Sequence, residues 1–574
     1  MGEPTARGDG VAALPRPDAE SRAALLDRFY RSYYRLRPVN ATLTGVHDHD
    51  AALPDWSPSG LDGAVADMRE LRHDLAAVSA DPAGAVVGDP GDLDVLLADA
   101  FLEIQLAEIA GGHFQRGNPA LWTGEAIFGI VSLMLRPFAP AAERARAIER
   151  RLDRVAAFLA AASATMGQKR SVPAAWVERA LLECRAGKEL VSSALPAWCR
   201  LNRVPADLSA RITDAGTAAR PAFNRFAEWL RKRPGAGYDG SACGEEFFDL
   251  LLRRGHFETR PARDLLRAAR EEFDEAVRRL HLMASKTGPR TWPAVQRALG
   301  ERVPAGPHYL AAFERLWHEC RTRATDHDLL TWPDAPLRYV ELPAWARSIA
   351  PDLYFLPYRS PAACDPPGPT DYLVPPLDAA GTPPIDTSVI KLNHVVHHGG
   401  IGHHVQNVHA YRSPSRLARI AAVDCASRIG LFQGGTMAEG WACYATDLME
   451  EIGFLDDLER VAQQYSRVRQ LGRAVVDVEL HAARMGHAEA VRFHAERVGM
   501  SEAAAAREVT RTSMFPGTAI MYWLGTDALH RLRAQVRSAE RARFSLRTFH
   551  DRVLSFGSIP VHLIARAMTG GARP

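Results

Sequence analysis

The length, composition and charge of the chain narrow the classes of protein to which it can belong. It has 574 residues, of which 47% are hydrophobic and 24% charged, and these proportions are ordinary for a soluble globular protein with a sizeable core. Its 70 basic and 68 acidic side chains nearly balance. That balance argues against nucleic acid as the main partner, because binding to phosphates needs a basic face.

The N-terminal residues predict neither a secretory signal nor a membrane span. Residues 1–18 carry Gly, Pro and both charge signs without an apolar run, which is typical of a disordered tail. No stretch of about 18 apolar residues occurs in the sequence, so we expect no membrane partner. The most apolar segment, residues 126–135, is too short to cross a bilayer and predicts a buried helix.

A helical region is predicted from residue 19 to residue 332. Apolar residues recur there at helical spacing, and Pro and Gly separate the amphipathic stretches. The segment Pro38–Asp55 is rich in Pro, Gly, His and Asp and predicts a loop. The predicted helices lie at about 61–80, 92–112, 140–166, 174–195, 206–232, 244–254, 262–285 and 306–326.

A small β segment is predicted at residues 333–392, and helices return in residues 393–574. The strand candidates 337–342, 353–357 and 372–376 each run into proline, as edge strands do. We find no repeat of fixed period and expect one interlocked, mainly α unit. The later predicted helices lie at 404–424, 436–452, 458–483, 486–496, 501–512, 516–534 and 546–554.

The seven cysteines favour reduced thiols. They include no C-x-x-C pair, which excludes a zinc ribbon or a redox motif. They stand alone at positions 184, 199, 243, 320, 364, 425 and 443. An odd number of scattered thiols is typical of a reducing compartment, so the sequence predicts a cytoplasmic location.

A cluster of histidines is the feature of the sequence that carries chemistry. Six of the 21 histidines lie between His394 and His409, where an even distribution would place fewer than one. Neutral imidazole is the commonest metal ligand in proteins, so the cluster predicts a metal site. The alternative is a set of polar loop histidines, or of core histidines that are hydrogen-bonded to the backbone.

The spacing in this cluster indicates what the backbone must do for two histidines to share an ion. His397 and His403 are six apart, about 120° off a common helix face, and His404 lies about 10 Å from His397 along a helix axis. Zinc holds its nitrogen ligands at about 2.0–2.1 Å, so a straight helix excludes both pairs. Glycines at 399, 400 and 402 permit the bulge or break that sharing would need.

Two further residues bear on the ligand set. His394 and His398 are four apart, which places them on one helix face and makes them an alternative pair. Glu439 follows on an otherwise apolar helix face, where an unpaired carboxylate is costly to bury and a metal would compensate it. A salt bridge would compensate it equally well.

Five blocks of the sequence resemble those of one known family. They are PVNATLTG at 38–45, HHGGIGHHVQ at 397–406, EGWACYA at 439–445, RAVVDVELH at 473–481 and PGTAIMYWLG at 516–525. Together they are similar to the domain of unknown function 885 family, helical proteins that resemble zinc peptidases of the gluzincin type. The similarity covers nearly the whole chain from about residue 20.

The resemblance implies a large, mainly α, zinc-peptidase-like fold with a small β-sheet near the active-site channel. It implies that His397, His403 and Glu439 bind the metal, with zinc expected and iron or manganese as alternatives. It also implies that His404 lies close to the metal or the substrate. His394, from its spacing to His398, and Arg473, which shares a helix face with Asp477 and His481, are further possible ligands or neighbours of the ligands.

The resemblance assigns catalytic roles as well. His481 and Tyr522 would face the reacting centre, with Asp477 fixing the tautomer of His481 and Tyr522 donating to a developing oxyanion. Two positions depart from the family motif His-Glu-x-x-Pro-Gly-His-His: the glutamate that acts as general base is His398 here, and the proline is Ile401. An imidazole beside a cation is a poorer base than a carboxylate.

These features lead to three hypotheses about function. The first is a metal-dependent hydrolase that acts on a peptide or other amide bond through metal-activated water, with His398 as an atypical base. The second is a non-hydrolytic metal enzyme, for example with iron. The third is a catalytically inactive relative that retains the metal. A small peptide or amide is the expected substrate of the first.

Overall fold

The chain folds into a mainly α structure, as the sequence predicts. The computed structural model describes residues 19–78, 89–167, 171–233, 240–354, 360–421, 423 and 431–570. The predicted tail at residues 1–18 lies outside these ranges. Among the described helices, none combines the length and the hydropathy that crossing a bilayer would require.

The eight helices predicted between residues 61 and 326 are found to within a few residues, whereas Trp292–Gly300 lies in no predicted stretch and Pro119–Leu135 begins well before the predicted segment 126–135. Proline or a capping side chain begins several of them. Two of them continue as short π-helices, Leu190–Ala194 and Leu251–His256. The α-helices of this half are Ala19–Leu36, Pro38–Thr44, Pro58–Val78, Pro90–Ala110, Pro119–Leu135, Ala141–Met166, Ala174–Glu189, Leu195–Leu201, Ala206–Arg231, Glu245–Leu250, Ala262–Ser285, Trp292–Gly300 and Tyr309–Asp326.

The segment Pro38–Asp55 is not the loop that its composition predicts. Its first seven residues form the helix Pro38–Thr44, which is buried throughout. Proline at the first helical position lacks only an N–H that would be unbonded there anyway. Gly45, at φ 88°, ends the helix in the left-handed region. Burial of Val39, Ala41 and Leu43 thus overrides the loop-like composition.

The β segment contains one small parallel sheet. Strand β1, Leu337–Glu341, pairs with strand β2, Thr370–Val374, in parallel register from Leu337 opposite Thr370 to Glu341 opposite Val374. Both strands match predicted ones. At the third predicted strand, 353–357, Leu353 and Tyr354 lie in a turn after the 3₁₀ helix Ala350–Asp352, so the prediction is wrong there, and its last three residues lie outside the described ranges.

The second half of the chain is again helical. Its α-helices are Ala344–Arg347, Thr387–Val389, His403–Ala410, Arg416–Ile420, Gly435–Glu451, Asp457–His481, His487–Arg492, Glu502–Met514, Met521–Glu540, Leu546–Ser555 and Val561–Thr569, with π-helices at Ile390–Gly399 and Phe493–Arg497.

The predicted continuous helix 404–424 is wrong. The chain leaves the helix after Ala410 and begins another at Arg416. Pro414 lies in the gap, and proline disfavours the helical conformation of the residue before it. The Ser415 side chain then accepts a hydrogen bond from the Ala418 N–H and caps the new helix.

One hydrophobic core joins the three regions that the sequence distinguishes. A single cluster of buried side chains includes residues from Leu26 near the N-terminus to Ala565 near the C-terminus, and Tyr339 and Tyr372 of the sheet belong to it. Polar contacts also link the halves: the Trp176 indole N–H donates to the Ser513 hydroxyl over 2.8 Å. The small sheet packs against the helix that leads into the histidine cluster.

Candidate metal centre

The histidine cluster begins in a π-helix and ends in an α-helix. The π-helix Ile390–Gly399 carries His397 near its end, and the α-helix His403–Ala410 starts directly at His403. The Gly400 N–H donates to the Val395 carbonyl over 2.5 Å, five residues back. The chain then reverses across Gly400–Gly402, which brings the His397 and His403 ring centroids to 4.8 Å. This is the break that the six-residue spacing requires.

Two glycines make the reversal sterically possible. A Cβ on Gly402 would overlap the carbonyl oxygen of His397, and a Cβ on Gly399 would overlap the Tyr339 hydroxyl. Only glycine permits so close an approach of backbone and neighbour. The indole N–H of Trp317 donates to the Gly399 carbonyl over 2.8 Å and fixes the end of the π-helix.

Glu439 reaches the histidines from a separate helix, Gly435–Glu451. The Trp441 indole N–H on that helix donates to the Ile401 carbonyl over 2.9 Å, so the carboxylate helix is tied directly to the histidine turn. Gly440 lies against Gly525 of the helix Met521–Glu540, where a Cβ on either residue would overlap backbone. This close crossing brings Tyr522 against Glu439.

Three side chains converge at the cluster with suitable donor atoms. The Glu439 Oε2 atom lies 3.6 Å from His397 Nε2 and 3.4 Å from His403 Nε2. These side chains are 12–15% exposed, so they are largely shielded from solvent. His398 also brings a ring nitrogen within 4.8 Å of those of His397 and His403. The cluster therefore contains two overlapping sets, three histidines and two histidines with a carboxylate.

The distances fit a shared ion better than a direct ion pair. A charged N–H···O hydrogen bond is about 2.7–2.9 Å long, shorter than either separation from Glu439. Ligand atoms at about 2.0–2.1 Å around a tetrahedral zinc ion lie about 3.3–3.5 Å apart. The buried Oε2 atom of Glu439 has no hydrogen-bond partner in the described part of the chain. The residues present therefore fit a divalent metal.

The pKa shifts of His397 and Glu439 favour the protonation states that bind a metal. Burial lowers the pKa of His397, which keeps its imidazole neutral and its lone pair available. Burial raises the pKa of Glu439, but the fields of His403 and His397 outweigh it and hold that pKa well below its usual range. Neutral imidazoles and an ionised carboxylate are the forms that bind metals.

His398 faces the centre and is unlike the carboxylate that the family motif has there. Its Nδ1 lies 2.8 Å from the Asn393 carbonyl oxygen, which can only accept, so Nδ1 carries the proton and Nε2 the lone pair. Burial lowers the pKa of His398 well below its ordinary value, and the nearby histidines lower it further. This lowering of the His398 pKa agrees with the expectation that His398 is a poor base.

The alternative pair of His394 and His398 does not converge. The Nδ1 atom of His394 lies 2.5 Å from the Tyr372 hydroxyl of strand β2, and its ring centroid is 6.4 Å from that of His398. His394 therefore links the π-helix to the sheet. The expectation that it adds a metal ligand has no support in this geometry.

His404 likewise points elsewhere. Its Nε2–H donates to the Ala335 carbonyl over 3.1 Å, just before strand β1, and its side chain is buried. The chain reversal at Gly400–Gly402 brings His403 to His397, and His404, the next residue, points away from it. His404 therefore does not lie beside the ligands as predicted, and instead links the helix His403–Ala410 to the start of the sheet.

Asp477 and His481 occupy a different part of the core from the one predicted. The Asp477 carboxylate accepts backbone N–H groups of Gly517, Ala519 and Ile520 at 2.9–3.1 Å. His481 Nε2–H donates to the Thr512 carbonyl over 3.0 Å, while its Nδ1 has no partner in the described residues. Asp477 therefore does not fix the tautomer of a substrate-facing histidine, and both residues hold the turn before Tyr522.

Tyr522 does face the centre, but its proton is already engaged. Its hydroxyl donates to Glu439 Oε1 over 2.9 Å, so it orients the carboxylate rather than pointing at a free oxyanion position. Arg473 stands beside it, with its guanidinium carbon 4.7 Å from the Tyr522 ring centroid. Arg473 supports Tyr522 and is not itself a ligand, since an arginine has no lone pair to offer.

Sequence reasoning missed the groups that surround Tyr522. Glu508 pairs with Arg473, and Arg511 lies against the Tyr522 hydroxyl. A signal existed: Arg469 and Arg473 are four apart on one helix, and Glu508 and Arg511 are three apart on another, so each pair shares a face. Nothing in the sequence alone shows that these faces meet.

Two solved structures share this fold over nearly their whole length. One is a putative lipoprotein of unknown function from Shewanella oneidensis, with a TM-score of 0.73 and 19% sequence identity over 96% of this chain and 99% of that one. The other is the putative lipoprotein from Colwellia psychrerythraea, with a TM-score of 0.77 and 16% identity over the same shares of both chains. At these identities the likeness shows the fold alone.

The predicted cytoplasmic location is contradicted by this comparison, because both related structures are described as putative lipoproteins. The inference from cysteines was wrong for a physical reason. Cys184, Cys199, Cys320 and Cys443 are buried and unpaired, and an isolated buried thiol remains reduced in any compartment.

The sequence comparisons are consistent with the blocks noted above. No curated protein matches the chain. One family model matches residues 38–568, a range that includes the histidine turn, Glu439 and Tyr522. The chain therefore belongs to the family described as bacterial protein of unknown function (DUF885).

Proposed function

We propose that the protein is a metal-dependent hydrolase that acts on a peptide or other amide bond. The observation that carries the proposal is the convergence of His397 and His403 on the unbonded Oε2 atom of Glu439. Two histidines and a glutamate form the ligand set of several zinc peptidases, which leave a further position open.

The residues of the chain divide the work of such a site. His397, His403 and Glu439 would hold zinc, which when bound supplies Lewis acidity toward a carbonyl and acidifies water. Tyr522 fixes the Glu439 carboxylate through Oε1 and leaves Oε2 directed at the histidines. The 12–15% exposure of the three side chains limits the entry of bulk water.

His398 is the residue placed to accept a proton. Its Nε2 carries the lone pair because Nδ1–H donates to the Asn393 carbonyl. Its lowered pKa makes protonation unfavourable near neutral pH. We therefore expect slow turnover of ordinary peptides, in contrast to an enzyme with a glutamate at this position.

A second candidate function rests on the overlap of the two sets of donors. Two histidines and one carboxylate are also the ligand set of non-haem iron enzymes. If His398 joins His397 and His403 as a ligand, the site holds more protein donors and less room for water. A non-hydrolytic iron enzyme, or an inactive protein that retains the metal, would follow.

The experiment that tests the proposal compares metals and substrates in one protein. Tag-free protein is stripped with a chelator, reloaded with zinc, iron or manganese, and assayed on a library of blocked peptides and small amides. We expect hydrolysis with zinc that His403→Ala reduces by roughly 100-fold or more. His409→Ala is the matched control, because His409 bonds the Thr331 carbonyl away from the centre.

The outcomes separate the candidates. Hydrolysis that the chelator abolishes and zinc restores supports the hydrolase. Stoichiometric metal with no hydrolysis of any member of the library, whichever metal is loaded, rejects the hydrolase in favour of the second candidate. Activity that is equal in His403→Ala and His409→Ala would show that the histidine turn is not the site.

A further inference from the structure

Three arginines stand beside the metal centre with one carboxylate among them. We call Arg469, Arg473 and Arg511 the arginine cluster. Arg473 forms a two-bond pair with Glu508, at 2.9 Å from Nε to Oε1 and 2.7 Å from Nη2 to Oε2. Arg469 lies 3.8 Å from the same carboxylate. In the described part of the chain, the ion pairs of Arg469 and Arg473 both go to Glu508.

The cluster therefore carries more positive than negative charge. Burial raises the pKa of Glu508, but Arg473, Arg469 and Arg511 lower it to about 2. This carboxylate is therefore ionised and contributes one negative charge against the three arginines. Burial and the field of Arg473 lower the pKa of Arg469, whereas Glu508 and Tyr522 outweigh burial and raise the pKa values of Arg473 and Arg511. Half-buried cations in excess are stabilised by an anion.

A neighbouring histidine adds unused hydrogen-bonding capacity. His494 is 1% exposed, and neither ring nitrogen has a hydrogen-bond partner in the described residues. Its charge interactions are with Glu508, Arg473 and Arg469, so it belongs to the same neighbourhood. A buried polar group without a partner costs free energy, and a polar ligand or ordered water would supply that partner.

The cluster is close to the reacting centre. Arg511 lies against the Tyr522 hydroxyl, and that hydroxyl is 2.9 Å from Glu439 Oε1. Two successive polar contacts span about 6 Å. Arg469 and Arg473 are 38% and 17% exposed at their side chains, so the cluster is not sealed from solvent.

We propose that the arginine cluster binds the terminal carboxylate of a peptide, so that the enzyme releases the C-terminal residue. The inference rests on the proposed hydrolase. Successive units of an extended chain are about 3.8 Å apart, so a terminal carboxylate on Arg511 places the last amide bond beside Glu439. A guanidinium is a planar fork that matches a carboxylate with two parallel hydrogen bonds.

The reaction balances without any further reagent. Water adds to the carbonyl carbon of the last amide, and the C–N bond breaks. The leaving nitrogen takes a proton from that water and departs as the amine of a free amino acid. The other product is the peptide shortened by one residue, with a new terminal carboxylate, and nothing is oxidised or reduced.

The test compares three substrates that differ only at one end. They are acetyl-Ala-Ala-Phe with a free carboxylate, the same peptide as its C-terminal amide, and acetyl-Ala-Ala-Glu amide, whose carboxylate is on the side chain. We expect kcat/KM at least tenfold higher for the free acid than for either amide. Arg511→Gln should remove that preference by slowing the acid alone, whereas Arg507→Gln, on an exposed position of the same helix, should keep it.

A binding measurement separates this inference from the proposed function. Calorimetry with metal-free protein and acetyl-phenylalanine, or its amide, reports the carboxylate site without turnover. We expect the acid to bind at least tenfold more tightly than the amide, and Arg511→Gln to abolish the difference. Arg511→Lys, which keeps the charge and loses the fork, should restore part of it and guards against a folding defect.

Each outcome has a definite consequence. Carboxylate binding that depends on Arg511 in a protein with no hydrolysis would retain the cluster as an anion site and reject the proposed hydrolase. Equal turnover of acid and amide would retain the hydrolase and overturn the inference. Preference for the glutamyl amide would also overturn it, because the cluster would then recognise acidic side chains.

Discussion

Glu439 and Asp477 both lie in sequence blocks that resemble those of the family, and both were expected at the active site. Their hydrogen-bonding environments differ sharply. Asp477 is fully buried and accepts three backbone N–H groups. Glu439 is slightly exposed, and its Oε2 atom faces two imidazoles without a hydrogen bond. A carboxylate that the backbone already satisfies holds a turn, whereas one left unsatisfied in a cleft is available to a ligand.

The pKa values of the two carboxylates are also shifted in opposite directions. Burial raises the pKa of Asp477 to about 7, although its three N–H donors oppose the change. The histidines around Glu439 overcome its burial and hold its pKa far lower. The difference shows that a family motif indicates which residues lie near a site. The hydrogen-bond partners of each polar atom then decide which of these residues is available to bind a ligand.

The largest expected effect follows from removing the charge of Glu439. Glu439→Gln replaces an anionic donor by a neutral amide, so we expect metal affinity to fall by roughly 100-fold or more. Competition with a chromophoric chelator measures this. His409→Ala should bind metal as the wild type does. Equal loss in both variants would contradict the assigned ligand set.

The matching change at Asp477 should affect folding instead. Asp477→Ala leaves three buried N–H groups without an acceptor, which should lower the free energy of unfolding by about 3 kcal/mol. Denaturant titration gives this value. Metal bound per folded molecule should remain that of the wild type. A loss of metal without a loss of stability would make Asp477 part of the site after all.

An intermediate effect is expected at His398. His398→Glu restores the carboxylate of the family motif, so we expect metal-dependent peptide hydrolysis to rise by about tenfold or more. His394→Ala should leave metal occupancy unchanged, because His394 contacts the Tyr372 hydroxyl and not the metal centre. Robust wild-type hydrolysis that His398→Ala does not alter would refute the role given to His398.

The smallest expected effect concerns the support of Glu439. Tyr522→Phe removes the hydrogen bond to Oε1 and keeps the ring under Arg473. Metal affinity should fall by about tenfold, at the lower end for groups that orient a ligand. The same chelator competition used for Glu439→Gln places both variants on one scale. A fall as large as that of Glu439→Gln would show that Tyr522 binds the metal itself.

Much of the histidine site was predictable from spacing. The six residues between His397 and His403 exclude a regular helix, and the intervening glycines predict the break that the structure contains. The π-helical form of Ile390–Gly399 was not predictable, because its five-residue hydrogen bonds leave no distinct residue pattern. That form decides that His398 faces the cluster while His394 meets Tyr372.

Other features depend on long-range packing and could not be inferred. The helix Pro38–Thr44 exists because the core encloses it, against a loop-like composition. The direction of His481 depends on the turn Thr512–Ile520, which is distant in sequence. The arginine cluster requires two helices to meet, and the spacing along each helix indicates only which residues share a face.

The bond from the Trp441 indole to the Ile401 carbonyl has a consequence for the thermodynamics of metal uptake. It couples the helix that carries Glu439 to the turn that carries the histidines, so neither ligand segment can move far alone. An arriving ion would meet donors already in position, and the entropy of ordering them belongs to folding rather than to binding. Uptake should therefore proceed with a small heat-capacity change and little change in amide exchange around the histidine turn.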